Sequence, residues 1–160
     1  MKITIIAVGK LKEKYWKEAL AEYLQRLSIF ARTEVIEVSD RGLQGNTQEQ
    51  VKAAEGADVL KHLQRLAPGA DSVVITLDGQ GKQRSSEQLA KHFDELKLRG
   101  KSKLVFIIGG SHGLPEEVLS RADESLSLGL QTWPHNMARV MLAEQIYRAF
   151  AISNNHPYHK

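Results

Sequence analysis

Three stretches of the chain carry residue types that could do chemistry. The segment SNNHPYHK, residues 153–160, places two imidazoles, a phenol and a lysine around a proline that stiffens the backbone. The last residues of a domain are usually loosely held. The concentration of reactive groups therefore reads either as a frayed tail or as part of a working site. The run GGSHG, residues 109–113, can let a backbone approach a ligand closely, and it also reads as a tight strand-to-helix turn. In LGLQTWPHNMAR, residues 128–139, Trp133 and Pro134 lead into a long helix. An aromatic beside free backbone groups could hold a flat heterocycle, whereas tryptophan more often belongs to the core.

Several familiar chemistries lack their residues. No GxxxxGK[ST] run is present for cradling phosphates, and the first turn, AVGKLKEK, has one glycine where a dinucleotide fold has GxGxxG. GGSHG is not the GxSxG elbow of a serine hydrolase. With no cysteine, thiolate metal sites, disulfides and Cys nucleophiles are excluded. His135, His156 and His159 could in principle make a three-histidine site, but there is no HExxH helix and a proline-containing tail is a poor rigid scaffold. No metal is expected. Arg139 and Arg148, nine residues apart on one helix, point to opposite faces. Glu144 stands four residues before Arg148, so this arginine is either half of a surface ion pair or a binder of phosphate or carboxylate.

Positioning these groups falls to elements that alternate along the chain. Short β-branched runs predict strands over 3–8, 33–38, 72–77 and 104–108, with a weaker one over 126–130. Apolar residues every three or four positions predict helices over 13–27, 47–66, 85–99 and 137–153, and a short one from Pro115 to about Ala122. Thr47–Gln50 and Ser85–Gln88 read as capping boxes, Pro68-Gly69 as a helix stop, and DGQGKQ, residues 78–83, as a turn. Alternating strands and helices imply an α/β fold, a mainly parallel sheet with helices on both faces, in which ligands bind beyond the carboxyl ends of the strands. The exits at Leu77, at 108–113 and at 129–135 are therefore the places to look.

Composition agrees with an ordinary globular domain. Apolar residues make up 42% and charged residues 26% of the 160 positions. Lys and Arg outnumber Asp and Glu by 22 to 19, a mild basic excess that permits a polyanionic partner without requiring one. Clusters at Lys10/Lys12/Lys14/Lys17, Lys82/Arg84 and Lys97/Arg99/Lys101/Lys103 could follow an RNA backbone or be solvated faces. The short apolar start reads as a buried strand rather than a leader, no run is long enough to span a membrane, and a cytoplasmic protein is expected.

Taken in order, KITIIAVGK, VITLDGQGK, FIIGGSHGL, LQTWPHNMARVMLAEQIYRAF and NNHPYHK resemble the RlmH family of ribosomal RNA methyltransferases along the whole chain. The resemblance implies one SPOUT-type domain over residues 1–160, with a C-terminal trefoil knot, an exception to the rule against knots. It implies a homodimer that uses S-adenosyl-L-methionine to methylate N3 of a pseudouridine in 23S rRNA of the assembled ribosome. Position by position, it implies cofactor contacts at Leu77, Gly109 and Gly110, and at Gly129, Leu130, Gln131, Thr132, Trp133 and Pro134, the last six wrapping the adenine mainly through backbone. It also implies RNA-side positions for His135, Arg139 and Lys160 and for Arg148, Tyr158 and His159; because the imide proton of N3 must leave, the last three are expected to be catalytic, with His159 the expected proton acceptor. Because one small domain already commits its strand exits to the cofactor, the tail is expected to serve the neighbouring subunit's site.

Overall fold

In the computed structural model, which describes residues 1–67 and 69–159, five strands form one sheet. Pro68, read above as part of a helix stop, and Lys160, expected above to contact RNA, lie outside the described residues. In chain order the elements are β1 (Lys2–Val8), α1 (Lys14–Leu27), β2 (Arg32–Val38), α2 (Gln48–Leu66), β3 (Ser72–Gln83), α3 (Ser86–Leu98), β4 (Lys103–Ile108), α4 (Glu116–Leu119), β5 (Glu124–Ser127) and α5 (His135–Ser153). The strands lie in the order β2-β1-β4-β3-β5, and every neighbouring pair is parallel.

A parallel sheet must bury both faces, and the side-chain alternation shows how this is done. Ile3, Ile5 and Ala7 of β1 join Leu104, Phe106 and Ile108 of β4 on one face, beneath α1, α3 and α5. Ile6 and Val8 join Val105 and Ile107 on the other face, beneath α2 and α4. Helix α5 lies between α1 and α3, so it needs apolar residues around much of its girth. Leu142, Ala143, Ile146 and Ala149 are all fully buried. Both capping boxes form: the Thr47 and Ser85 hydroxyls accept the N–H groups of Gln50 and Gln88, and the glutamine side chains return the bond. Each cap stabilises its helix start by about 1 kcal/mol.

The structure departs from the sequence reading at three junctions. Residues 78–83 are not a free turn: β3 continues through them along β5, with a register shift between Leu77 and Lys82, both of which pair with Leu126. Gly81 lies flat on the backbone of Ser125 and Leu126, where a Cβ would come within 2.7 Å. The glycines that signal a turn here permit a bulged strand instead. β5 is displaced to Glu124–Ser127, which frees residues 128–134 as loop, and α5 begins at His135. Pro115 caps α4 rather than entering it, and that helix is a single turn.

Helix α2 is pressed onto the connection after β4 at Gly56, whose added Cβ would sit 2.3 Å from Cγ of Pro115. Gly56→Ala should therefore be destabilising. Helix propensity alone would gain about 1 kcal/mol, but overpacking against a rigid ring costs about 1–3 kcal/mol. A net loss in chemical denaturation is expected.

Candidate functional site

The carboxyl ends of β3, β4 and β5 open onto a cleft of about 920 Å³. Its walls are Leu77–Gln80 from the bulged end of β3, Ile108–Ser111 with Gly113 and Leu114 after β4, and the whole loop from Ser127 to His135. Every residue that the family resemblance assigned to the cofactor lies on this one surface: Leu77, Gly109, Gly110, Gly129, Leu130, Gln131, Thr132, Trp133 and Pro134. The loop is shaped locally. The Ser127 hydroxyl donates to the Gly129 carbonyl at 3.0 Å and accepts the Gly129 N–H at 3.2 Å, and Gly129 takes a φ of +125°. That conformation suits glycine alone. Among the described residues, the N–H groups of Leu130, Gln131, Thr132 and Trp133 donate to no backbone or side-chain acceptor. They remain available to a ligand. Leu130 at 89% and Trp133 at 37% exposure stand at the mouth.

Charge narrows what this cleft can hold. Asp78 and His135 are the titratable residues of its lining, and no lysine or arginine is among them. A diphosphate or triphosphate ligand would find no lysine or arginine here, whereas a nucleoside carrying a positive centre meets the Asp78 carboxylate, and the unengaged N–H groups can donate to acceptor atoms of its base. Gly109 and Gly110 leave the floor without side chains. A Cβ on Gly110 would come within 3.0 Å of both Val8 Cγ1 and Glu55 Oε2, so no larger residue fits without displacement.

The start of α5 carries the far wall of the cleft. His135 lines it, with Nε2 beside Gly9. Arg139 does not face solvent, contrary to the RNA-contact expectation. Its side chain is 0% exposed, Nη1 donates to Glu37 Oε1 at 2.7 Å, and Nη2 donates to the Gly9 carbonyl at 2.8 Å. Glu37 also accepts the Leu11 N–H at 3.2 Å. Nη1 and Nη2 hold α5 to β2 and to the β1–α1 turn, Nε is buried without a partner, and no part of the guanidinium reaches the surface of this subunit.

The remaining candidates gather elsewhere. Arg148, Tyr158 and His159 form a cluster on the outer side of α5, where the tail folds back over the helix. Arg148 is ten residues beyond Ala138 of the cleft, about 15 Å along the helix axis. Its guanidinium pairs with Glu144 and lies 4.7 Å from the Tyr158 ring centroid. Glu144 keeps the guanidinium charged beyond its already high ordinary pKa. The expected i,i+4 pair is present but partly buried rather than at the surface. Tyr158 donates to Glu144 at 3.1 Å, and burial, then Tyr23 and Glu144, push its phenol far up, so it stays protonated.

His159 is engaged at both nitrogens: Arg148 Nη1 lies 3.3 Å from Nδ1 and Glu87 Oε1 lies 2.8 Å from Nε2. Arginine can only donate. Nδ1 is therefore the acceptor and Nε2 carries the hydrogen toward Glu87, so the docked ring has no free lone pair. His156 packs instead on Phe30 and Tyr147. The histidines weighed as a metal triad are thus dispersed, and among the described residues no group of three potential ligands converges.

Two acidic positions were given no role of their own in the sequence reading. Asp78 was hidden in an apparent turn. Glu55 stands on the inward stripe Val51, Glu55, Val59, Leu63 of α2, all at 3% exposure or less. A charge repeating at i, i+4 with buried valines was the available signal.

Comparison with known proteins identifies the class. The family model described as "Predicted SPOUT methyltransferase" matches residues 1–159. A solved structure titled as a probable methylase family protein from Haemophilus influenzae Rd KW20 superposes with a TM-score of 0.55 at 14% identity, covering 99% of this chain and 70% of that one, a likeness of fold. The chain belongs to the SPOUT methyltransferases and is an enzyme of that class. Within the class it belongs with proteins named ribosomal RNA large subunit methyltransferase H, over the full length of both chains. It is 52% identical to that of Carboxydothermus hydrogenoformans, 49% to that of Bacillus cytotoxicus and 47% to that of an Exiguobacterium species.

The Arg139 anchor makes a direct prediction. Arg139→Ala leaves Glu37 and the Gly9 carbonyl without their donor and should cost about 3 kcal/mol in chemical denaturation. Arg139→Lys, which cannot span both acceptors as a fork, should recover only part of that loss.

Proposed function

We propose that the cleft binds S-adenosyl-L-methionine and that the protein methylates N3 of a pseudouridine in 23S rRNA of the assembled ribosome, as a cytoplasmic homodimer. The observation that carries the donor assignment is the lining: glycine-floored, rich in unengaged N–H groups, with one carboxylate and no cation. The relatives' printed name supports the RNA substrate. When bound, the donor supplies a methyl group on a positively charged sulfur, already activated for transfer. The C-terminal trefoil knot belongs to the same reading, with the loop 129–134 as its donor-binding part.

The chain's own residues then have distinct tasks. Leu77, Gly109 and Gly110 with the loop 129–134 hold the donor and keep water out, so that alignment supplies much of the rate. The imide proton of N3 must leave for the nitrogen to attack. Arg148, permanently cationic, would stabilise the imide anion, and Tyr158, permanently protonated, would donate to the base. His159 would accept the proton through an imidazole nitrogen. It can do so only after leaving its contacts with Glu87 and with Arg148 Nη1, and its docked position lies away from the cleft of its own subunit. A composite site follows, in which one subunit holds the donor and the other brings the tail. The apolar groove between α1 and β2, lined by Leu11, Leu20, Leu24 and Val35, is a surface suited to a second copy.

Two measurements test this reading. In a thermal-shift panel, S-adenosylhomocysteine at a hundred-fold excess over its Kd should stabilise the protein by about 2.7 kcal/mol. NAD and ATP should leave it unmoved, and indifference to S-adenosylhomocysteine would remove the donor assignment. Mixing a variant altered in the loop 129–134 with one lacking residues 157–160 should restore ribosome methylation in heterodimers. A mixture as inactive as its parents would argue for a self-contained subunit.

A further inference from the structure

The cleft has no lysine or arginine in its lining, so a polyanion that approaches it must be held from outside. The fold sorts the chain's three basic clusters by their distance from that cleft. Lys97, Arg99, Lys101 and Lys103 end α3 and begin β4, at the amino edge of the sheet. The cleft opens at the other edge, past Ile108, about 17 Å further along β4. Lys103 is also paired with Asp71 at 3.1 Å, and Lys101 donates to the Ala70 carbonyl at 2.6 Å. Of the second cluster, Arg84 is committed to Glu124 at 3.1 Å, and Lys82 stands singly.

The cluster after β1 differs in both respects. Its turn leaves the sheet at the cleft edge, where Gly9 lies against His135 Nε2 of the cleft wall. The backbone there is pinned at alternate residues. Gly9 donates its N–H to the Val38 carbonyl at 2.8 Å, and its own carbonyl accepts Arg139 Nη2 at 2.8 Å. Leu11 is buried, and its N–H donates to Glu37 Oε1 at 3.2 Å. Positions 9 and 11 thus face inward, while Lys10 and Lys12 are exposed. Among the described residues neither of these lysines makes an ion pair. Lys14 instead meets Glu18 at 3.5 Å, and Lys17 lines the groove suited to a second copy. Glu37 is spent on Arg139 and the Leu11 N–H, and Asp40, whose Cβ lies beside Gly9, pairs with neither lysine.

We propose that Lys10 and Lys12 form a phosphate-binding rim beside the cleft, gripping the RNA backbone that flanks the target nucleotide. The rim serves the ribosomal RNA substrate of the proposed function and rests on that reading. An unpaired lysine on a fixed backbone meets a phosphate without first giving up a partner, and each phosphate it neutralises releases counterions from the RNA. Such a contact carries no base information and sets where the RNA sits. Lysine acts here as a point charge, so arginine can take its place. The amino-edge cluster lies about 17 Å from the cleft, beyond the Debye length of about 10 Å at 0.1 M salt, and cannot substitute for the rim.

The test uses the full chain and assembled ribosomes, with ribosome affinity measured across a salt series beside methylation kinetics. Lys10→Ala/Lys12→Ala should bind ribosomes about ten-fold more weakly at about 0.1 M salt. Its slope of log affinity against log salt should be shallower by about 1.4–1.8, the value for two phosphate contacts. The methylation defect should fall on KM for ribosomes rather than on kcat, with S-adenosylhomocysteine affinity and the unfolding midpoint as in wild type. Lys10→Arg/Lys12→Arg should recover ribosome binding to within about two-fold. Lys97→Ala/Arg99→Ala, the same change of net charge at the far edge, should bind ribosomes as wild type does. An unchanged salt slope in the Lys10/Lys12 alanine variant would overturn the rim. Equal losses in the two alanine pairs would reduce it to net charge, and an arginine pair as weak as the alanine pair would show that charge is not the cause. Either result also overturns it. Wild-type protein that binds no ribosome would remove the RNA reading itself, a failure that the wild type alone reveals.

Discussion

The grip of Arg139 on the Gly9 carbonyl and Glu37 is the contact on which the functional surface depends. It joins the first turn of the last helix to the first strand's exit, across most of the chain. Where α5 starts decides where the loop 129–134 must end, and that loop is one wall of the cleft. The same bond places His135 beside Gly9. A buried guanidinium with two strong acceptors costs desolvation that only good geometry offsets, which is why the arginine fork, rather than a lysine, is suited to this position.

Around that anchor the proposed donor site is built from backbone rather than side chains. Glycines at 109 and 110 clear the floor, a bulged β3 supplies Leu77 and Asp78, and a short β5 releases a loop with unspent N–H groups. Backbone recognition accommodates side-chain variation and charges little for it. The price is rigidity elsewhere, visible in Gly56 against Pro115 and in the Glu55 carboxyl beneath Gly110. The tail obeys a different logic. Arg148, Tyr158 and His159 are docked together through Glu144 and Glu87 in a resting arrangement that ties up the groups chemistry would need.

The layered α/β architecture was legible in the residues because local signals agreed with one another: β-branched runs for strands, two capping boxes, and a 3.6-residue apolar period. The strand exits were legible for the same reason, and the residues placed there by family resemblance share one cleft. What was not legible depended on long-range packing. DGQGKQ has the composition of a turn, and only β5 alongside it makes a strand of it. Arg139 looked like a basic residue awaiting an anion, and its true partner stands 102 positions earlier in the chain. Glu55 was passed over because a carboxylate among valines looks like an exposed face until the stripe it shares is counted.

The central claim is that the loop 129–134, Leu77 and the glycine floor together form the donor site. A crystal structure with S-adenosylhomocysteine tests it most directly. The account predicts the adenine against the loop 129–134, bonded to its backbone N–H groups, with Leu77 and Gly110 in contact and α5 unmoved. Adenine bound away from that loop, or held mainly by lysine and arginine side chains, would contradict it.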